Sequence, residues 1–287
     1  NDAPYSTDWI IANLRILLGP GTWPDLCQSG KRQSPIDILT DHTLKVDLGS
    51  LKFIRYDYAY SGFVTNTGHN VQITLSGIPV YVTGGGLASM FILEQLHFHW
   101  DAEHTIDGVR DALELHFVHY DKKYGNLSNA SHYQNGICVV AFADDDNSDL
   151  YNILNATESV SQWVGKSSVE MQRKVVPMLL LPKDRTTYYR YDGSLTTPGC
   201  QEAVTWFILT EKLPISESQV NILRNVKTNN GTLKHNFRPT QNQHNRIIYH
   251  HLLGYTSTAV MQKEILPFFN FIYVFIIIVY PHLFITS

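Results

Sequence analysis

The stretch Gln95-Leu96-His97-Phe98-His99-Trp100 sets two imidazoles two residues apart inside an apolar, aromatic run. Such a run reads as a buried strand, on which successive side chains leave opposite faces. Gln95, His97 and His99 then share one face, and Leu96, Phe98 and Trp100 the other. The alternation returns in Glu114-Leu115-His116-Phe117-Val118-His119-Tyr120, with Glu114, His116 and Val118 on one face. If the two runs pair in one sheet, His116 joins His97 and His99 in a three-histidine metal site.

The chain of 287 residues is 44% hydrophobic and 17% charged, with a formal charge of −4, which bounds it to one large or two small globular domains. A chain without basic excess is a poor partner for nucleic acid. The cysteines, Cys27, Cys138 and Cys200, form no Cys-x-x-Cys pattern, which disfavours a thiolate metal site. One long-range disulfide with one thiol left over is the simplest alternative. Asn-x-Ser/Thr acceptors at Asn126, Asn129, Asn155 and Asn230, all in polar surroundings that read as turns, point to a secreted glycoprotein whose signal peptide is already absent.

Short strand-like runs separated by turn signals occupy 51–58, 68–75 and 78–82, and 136–142 reads as a fully buried strand. Helical spacing marks 149–162, and 216–226 opens with Ser216-Glu217-Ser218-Gln219, a capping-box pattern. Residues 1–255 read as one domain with no internal repeat. In 256–287, small residues, a short polar spacer and an apolar tail without charge after Glu264 follow the order of a GPI-attachment signal. A single C-terminal transmembrane segment is the alternative, weakened by Pro267, Asn270 and Pro281 and by the lack of a positive flank.

Three neutral imidazoles suit zinc, and three protein ligands leave a fourth position for water. Zinc lowers the pKa of that water from about 16 to about 7. The histidine runs, with Glu103-His104-Thr105 between them, resemble the α-carbonic anhydrase signature. Gln33-Ser34-Pro35-Ile36-Asp37-Ile38, Asn66-Thr67-Gly68-His69, Gly193-Ser194-Leu195-Thr196-Thr197-Pro198, Val204-Thr205-Trp206 and Asn236-Phe237-Arg238-Pro239 resemble that family's other motifs, in its order, over about residues 19–255.

The resemblance implies a mainly β (α+β) single domain: a large twisted, mainly antiparallel sheet, a conical zinc-containing cleft and short peripheral helices. It implies reversible hydration of carbon dioxide to bicarbonate and a proton, by hydroxide on zinc, at the extracellular surface. His97, His99 and His116 would hold the zinc, with Gln95, Glu114 and the carbonyl near Asn236 orienting their rings. Thr196 would orient the hydroxide, Glu103 would accept from Thr196, and Thr197 would contact bicarbonate. Val118, Val139, Leu195 and Trp206 would form a dry wall for carbon dioxide. His69 would shuttle protons along a route lined by Asn66, Thr67 and Gln72, where Thr67 replaces a more usual Asn. Cys27 and Cys200 resemble the disulfide pair of secreted and membrane-anchored members.

Departures include residues 10–18, Asp101-Ala102 before Glu103, Tyr120, and Gly199 where proline is frequent. His104 reads as a core residue bonded to Glu114 and Tyr191, and His119 as another. His250 and His251, adjacent and so facing opposite ways on a strand, read as structural or surface groups. A non-catalytic surface module is the rival class; such a module would be expected to lack a ligand, and here all three histidines are present.

Overall fold

The computed structural model describes residues 19–143, 148–165, 168–212, 215–229 and 231–256. Its first strands are β1 (Asp37–Ile38), β2 (Leu44–Val46), β3 (Leu51–Ile54), β4 (Ser61–Asn66), β5 (Val71–Ser76), β6 (Tyr81–Gly84) and β7 (Phe91–His99). There follow β8 (Thr105–Ile106), β9 (Val109–Arg110), β10 (Glu114–Asp121), β11 (Ile137–Ala143) and β12 (Val169–Glu170). The last are β13 (Tyr188–Gly193), β14 (Val204–Leu209), β15 (Lys227–Thr228), β16 (Gly231–Thr232) and β17 (Tyr249–His251). Short helices lie between them: α1 (Leu26–Ser29), α2 (Leu127–Ala130), α3 (Ser148–Val160), α4 (Pro177–Leu180) and α5 (Glu217–Arg224).

Twelve strands form one sheet in the order β12-β4-β5-β7-β10-β11-β14-β13-β17-β2, with β6 joining β3 to β7. The path does not close into a barrel, and the pairs are antiparallel except β11–β14 and β17–β2. The two histidine runs are neighbours at its centre. His97 faces His116, and His99 faces Glu114, across β7 and β10. Continuing outward, Val118 lies opposite Val139, and Val139 beside Trp206. Since the side-chain period of a strand is two, this register puts all of these groups on one face.

The opposite face carries the main core. Leu96, Phe98, Trp100, Leu115, Phe117, Val140 and Phe207 are fully buried there with Ile153 and Leu154 of α3 and Leu223 of α5. Burying side chains of this size contributes about 1.5–3 kcal/mol each. A smaller cluster on the site face joins Val118, Val139, Tyr191 and Trp206 to Ile36 and Ile38, with Leu195 packed against it. The central strands therefore have no solvent face, which is why β10 and β14 are buried almost throughout.

Several boundaries differ from the sequence expectation. The run expected over 51–58 stops at Ile54, because Arg55 takes φ 64 and turns the chain. The strand expected from Gly68 begins at Val71, after a turn in which Gly68 has φ 89. The helix expected over 149–162 is Ser148–Val160, and that over 216–226 is Glu217–Arg224 with the complete capping box at Ser216 and Gln219. Asn155 corrects the reading of the glycosylation acceptors as turn residues: it lies exposed within α3, and the hydroxyl of its partner Thr157 is buried against the Ile153 carbonyl. Asn126 and Asn129 are exposed around α2, where Asn126 caps the helix by accepting from the Asn129 backbone N–H. Asn230, residues 10–18 and the tail 257–287 lie outside the described residues. No helix among the described residues is long and apolar enough to cross a membrane.

Candidate metal centre

Three ring nitrogens converge where β7 and β10 meet. His97 Nε2 lies 3.0 Å from His99 Nε2 and 3.2 Å from His116 Nδ1. Each ring's other nitrogen faces an acceptor: Gln95 Oε1 for His97 at 2.9 Å, the Asn236 carbonyl for His99 at 2.8 Å, and Glu114 Oε1 for His116 at 2.5 Å. Acceptors there place the N–H on the outer nitrogen of every ring. Three bare lone pairs are left pointing at one another. Burial, above all, keeps all three rings neutral, with His99 lowered to about 4. Converging lone pairs repel unless a cation lies between them, so the donor set itself fits a metal.

Glu114 is held from both sides. Burial pushes its carboxyl up, but the bonds to His104 and His116 outweigh that and keep it well below the usual carboxylate range. His104 donates to it through the backbone N–H and lies 2.8 Å away through Nδ1, while His104 Nε2 meets the Tyr191 hydroxyl at 2.7 Å. Those are the partners expected for His104. Glu103 is also buried, and burial raises it to about 7, against His116, Thr196 and the Arg238 backbone N–H, which lower it. That N–H donates to Oε1 at 2.9 Å. Oε2 stands 3.5 Å from His99 Nε2 and completes no aligned hydrogen bond of its own.

A cleft of about 250 Å³ opens over this centre, lined by His69, His99, Thr196, Thr197, His235 and Asn236 among others. The residues expected to form a dry wall, Val118, Val139, Leu195 and Trp206, lie together in the site-face cluster, with Trp206 5.0 Å from the His116 ring, but none of them is among the residues that line this cleft. A larger groove beside α3 and β12, of about 470 Å³, holds none of the converging nitrogens.

Two expectations about the polar route need correction. Asn66 is fully buried and spent on structure: its amide donates to the Ser161 and Lys227 carbonyls, and its oxygen accepts from Gly68 N–H. Thr67 Oγ1 donates to Asn70 Oδ1 at 2.7 Å and accepts from Asn70 N–H. Neither offers a free group to a water chain. His69 lines the cleft, yet its Nδ1 is buried without a hydrogen bond to the described residues, and burial, then His99, lowers it to about 4.

Arg238 is the residue whose role the sequence motif did not disclose. Its buried guanidinium donates to Gln33 Oε1, the Ser34 carbonyl and the Cys27 carbonyl, while its backbone holds Glu103. It thereby ties the first turns of the chain to the site. Cys27 and Cys200 form a disulfide across 173 residues, and Cys138 is buried and free. Gly199, φ 105, takes a conformation closed to proline, which fixes φ near −65°, and so brings the chain from the threonines to Cys200.

Residues 18–252 match the family described as eukaryotic-type carbonic anhydrase. The chain belongs to this family. It is 36% identical over 276 residues to "Carbonic anhydrase 6" of Mus musculus, covering 87% of this chain and 86% of that one. It is 34% identical over 243 residues to "Putative carbonic anhydrase 3" of Caenorhabditis elegans, covering 81% and 93%, and 31% identical over 251 residues to "Carbonic anhydrase 4" of Oryctolagus cuniculus, covering 81% and 79%. Membership makes the chain an enzyme of the lyase class, with carbon dioxide and bicarbonate as its substrate pair.

Proposed function

We propose that the cleft hydrates carbon dioxide reversibly with zinc at His97, His99 and His116, and that residues 1–255 form the catalytic domain. The observation that carries this is the convergence of His97 Nε2, His99 Nε2 and His116 Nδ1, each imidazole oriented by an acceptor behind it. Imidazole nitrogens without thiolates suit zinc among the available metals. When bound, zinc acidifies water enough to make hydroxide available at neutral pH.

The chain's own groups supply orientation and exclusion. Gln95, Glu114 and the Asn236 carbonyl keep the three imidazoles in the tautomer that presents lone pairs inward. Glu103 Oε2, buried without an aligned partner, is the acceptor open to the Thr196 hydroxyl. Donation to that carboxylate leaves the Thr196 oxygen as an acceptor toward the cleft, so that a nucleophile there points its proton at Thr196 and its lone pair at substrate. Val118, Val139, Leu195 and Trp206 give carbon dioxide an apolar wall, and Thr197 lies at the cleft surface to hydrogen-bond bicarbonate. His69, on the lining of the cleft, serves as proton shuttle in this reading.

Metal content and carbon dioxide hydration test this together. One zinc per chain, activity removed by a chelator and restored by zinc, and loss of both in His116→Ala are expected. Full turnover in His116→Ala refutes the ligand set.

The location proposed is the extracellular face of the cell membrane, through a GPI anchor attached within 256–287, with glycans at Asn126, Asn129, Asn155 and Asn230. The acceptors and the uncharged tail support it. Phosphatidylinositol-specific phospholipase should release the protein from membranes; retention with the tail intact favours a membrane span instead.

A further inference from the structure

Resting on that hydration reading, we propose that His235 is a proton-transfer group at the mouth of the cleft, relaying protons between cleft water and buffer. Each hydration event leaves one proton to be exported, and an imidazole both accepts and releases protons near neutrality. His69, the histidine set deeper, is poorly placed for this in the observed conformation. It lines the cleft with its Nδ1 buried and without a hydrogen bond to the described residues. The neighbouring Asn66 and Thr67 are committed to backbone and turn bonds.

His235 lines the same cleft as His99, His69 and Thr196, and its side chain is 63% exposed, so it borders both cleft and bulk solvent. Nδ1 lies 3.4 Å from Asp101 Oδ2, and Asp101 is itself 3.5 Å from Arg224 Nη2. Phe237 packs edge-on with ring centroids 6.1 Å apart. Nε2 has no hydrogen bond to the described residues and is left to water.

The ring's position is fixed from both sides of the backbone. The Leu233 carbonyl accepts from Trp100 Nε1 at 2.7 Å, and Asn236 N–H donates to the Trp100 carbonyl at 3.1 Å. The Asn236 side chain bonds Trp100 N–H, the Phe98 carbonyl and the His69 carbonyl. His235 is thus carried by the segment that holds the metal-side end of β7. In one cycle Nε2 takes a proton from cleft water and gives it to buffer, returning the ring to its neutral form, with Asp101 3.4 Å from Nδ1 on the ring's other side.

The test measures hydration by the full-length protein, His235→Ala, His69→Ala and the double variant, in weak buffer and again with added imidazole. His235→Ala is expected to lower kcat about a hundredfold in weak buffer, to leave kcat/KM unchanged, and to recover with imidazole. Unchanged kcat for His235→Ala in both the parent and the His69→Ala background overturns the proposal. So does a joint fall in kcat and kcat/KM that imidazole does not restore, which marks a merely structural residue. An inactive parent protein refutes the hydration reading, and this proposal with it; an active parent in which His235→Ala is indifferent in both backgrounds removes His235 alone.

Discussion

His119 shows how one ring couples folding to pH away from the metal centre. It lies on the core side of β10, where Nδ1 donates to the Cys138 carbonyl at 3.2 Å and Nε2 accepts from the Tyr56 hydroxyl at 2.5 Å. Protonating Nε2 would abolish that acceptor, and burial lowers the ring from 6.5 to about 4. Between those values the unfolded chain binds a proton that the folded chain refuses. The stability contributed is full above about pH 6.5 and is lost as pH falls toward 4, by about 3 kcal/mol. Denaturant titrations across that window should show a shallower loss in His119→Gln than in the parent; equal slopes would remove His119 from the acid response. At this scale the sequence showed the three imidazoles, Gln95 and Glu114, because strict alternation fixes which side chains share a face. It did not show that Asn66 is consumed by Ser161 and Lys227, partners 95 and 161 residues away that only the fold brings near.

Among the elements, α5 owes its start to local chemistry that the sequence states outright. Ser216 accepts from Gln219 N–H while Gln219 Oε1 accepts from Ser216 N–H, which satisfies two donors the first helical turn would otherwise leave bare. Val220 and Leu223 then enter the core. Ser216→Ala should cost about 1 kcal/mol, read as a lower denaturation midpoint with activity retained; no loss would mean that packing alone sets the helix. Strand β4 was not legible, for the opposite reason. Its buried positions are Gly62, Val64 and Asn66, so the inward face has one aliphatic side chain and no hydrophobic alternation to read. Gly62 is inward because Met171 and Val175 occupy the space a Cβ would need. In β14 every residue is buried, and a continuous apolar run gives strand without disclosing which face holds the site.

Across the whole molecule, the disulfide closes the longest loop that matters to the site. Cys27 follows the first turns of the described chain, and Cys200 follows Thr196 and Thr197 by a few residues. Around the bond, Gln33 Nε2 donates to the Cys200 carbonyl and Arg238 to the Cys27 carbonyl, with Trp23 buried beside it. A cross-link over 173 residues removes enough freedom from the unfolded chain to stabilise the fold by about 5 kcal/mol in the chain-entropy account. Replacing both cysteines, Cys27→Ala with Cys200→Ala, leaves Arg238 and Gln33 to hold the segment by hydrogen bonds to its backbone. The double variant should therefore fold with its zinc ligands in place, and its melting temperature should fall by roughly 10–20 °C. Calorimetry with a parallel metal assay separates the alternatives. A midpoint within a degree or two of the parent's would place the restraint in the Arg238 network instead of the cross-link. Loss of zinc in the folded variant would mean that the disulfide shapes the metal site itself, beyond stabilising the chain that carries it.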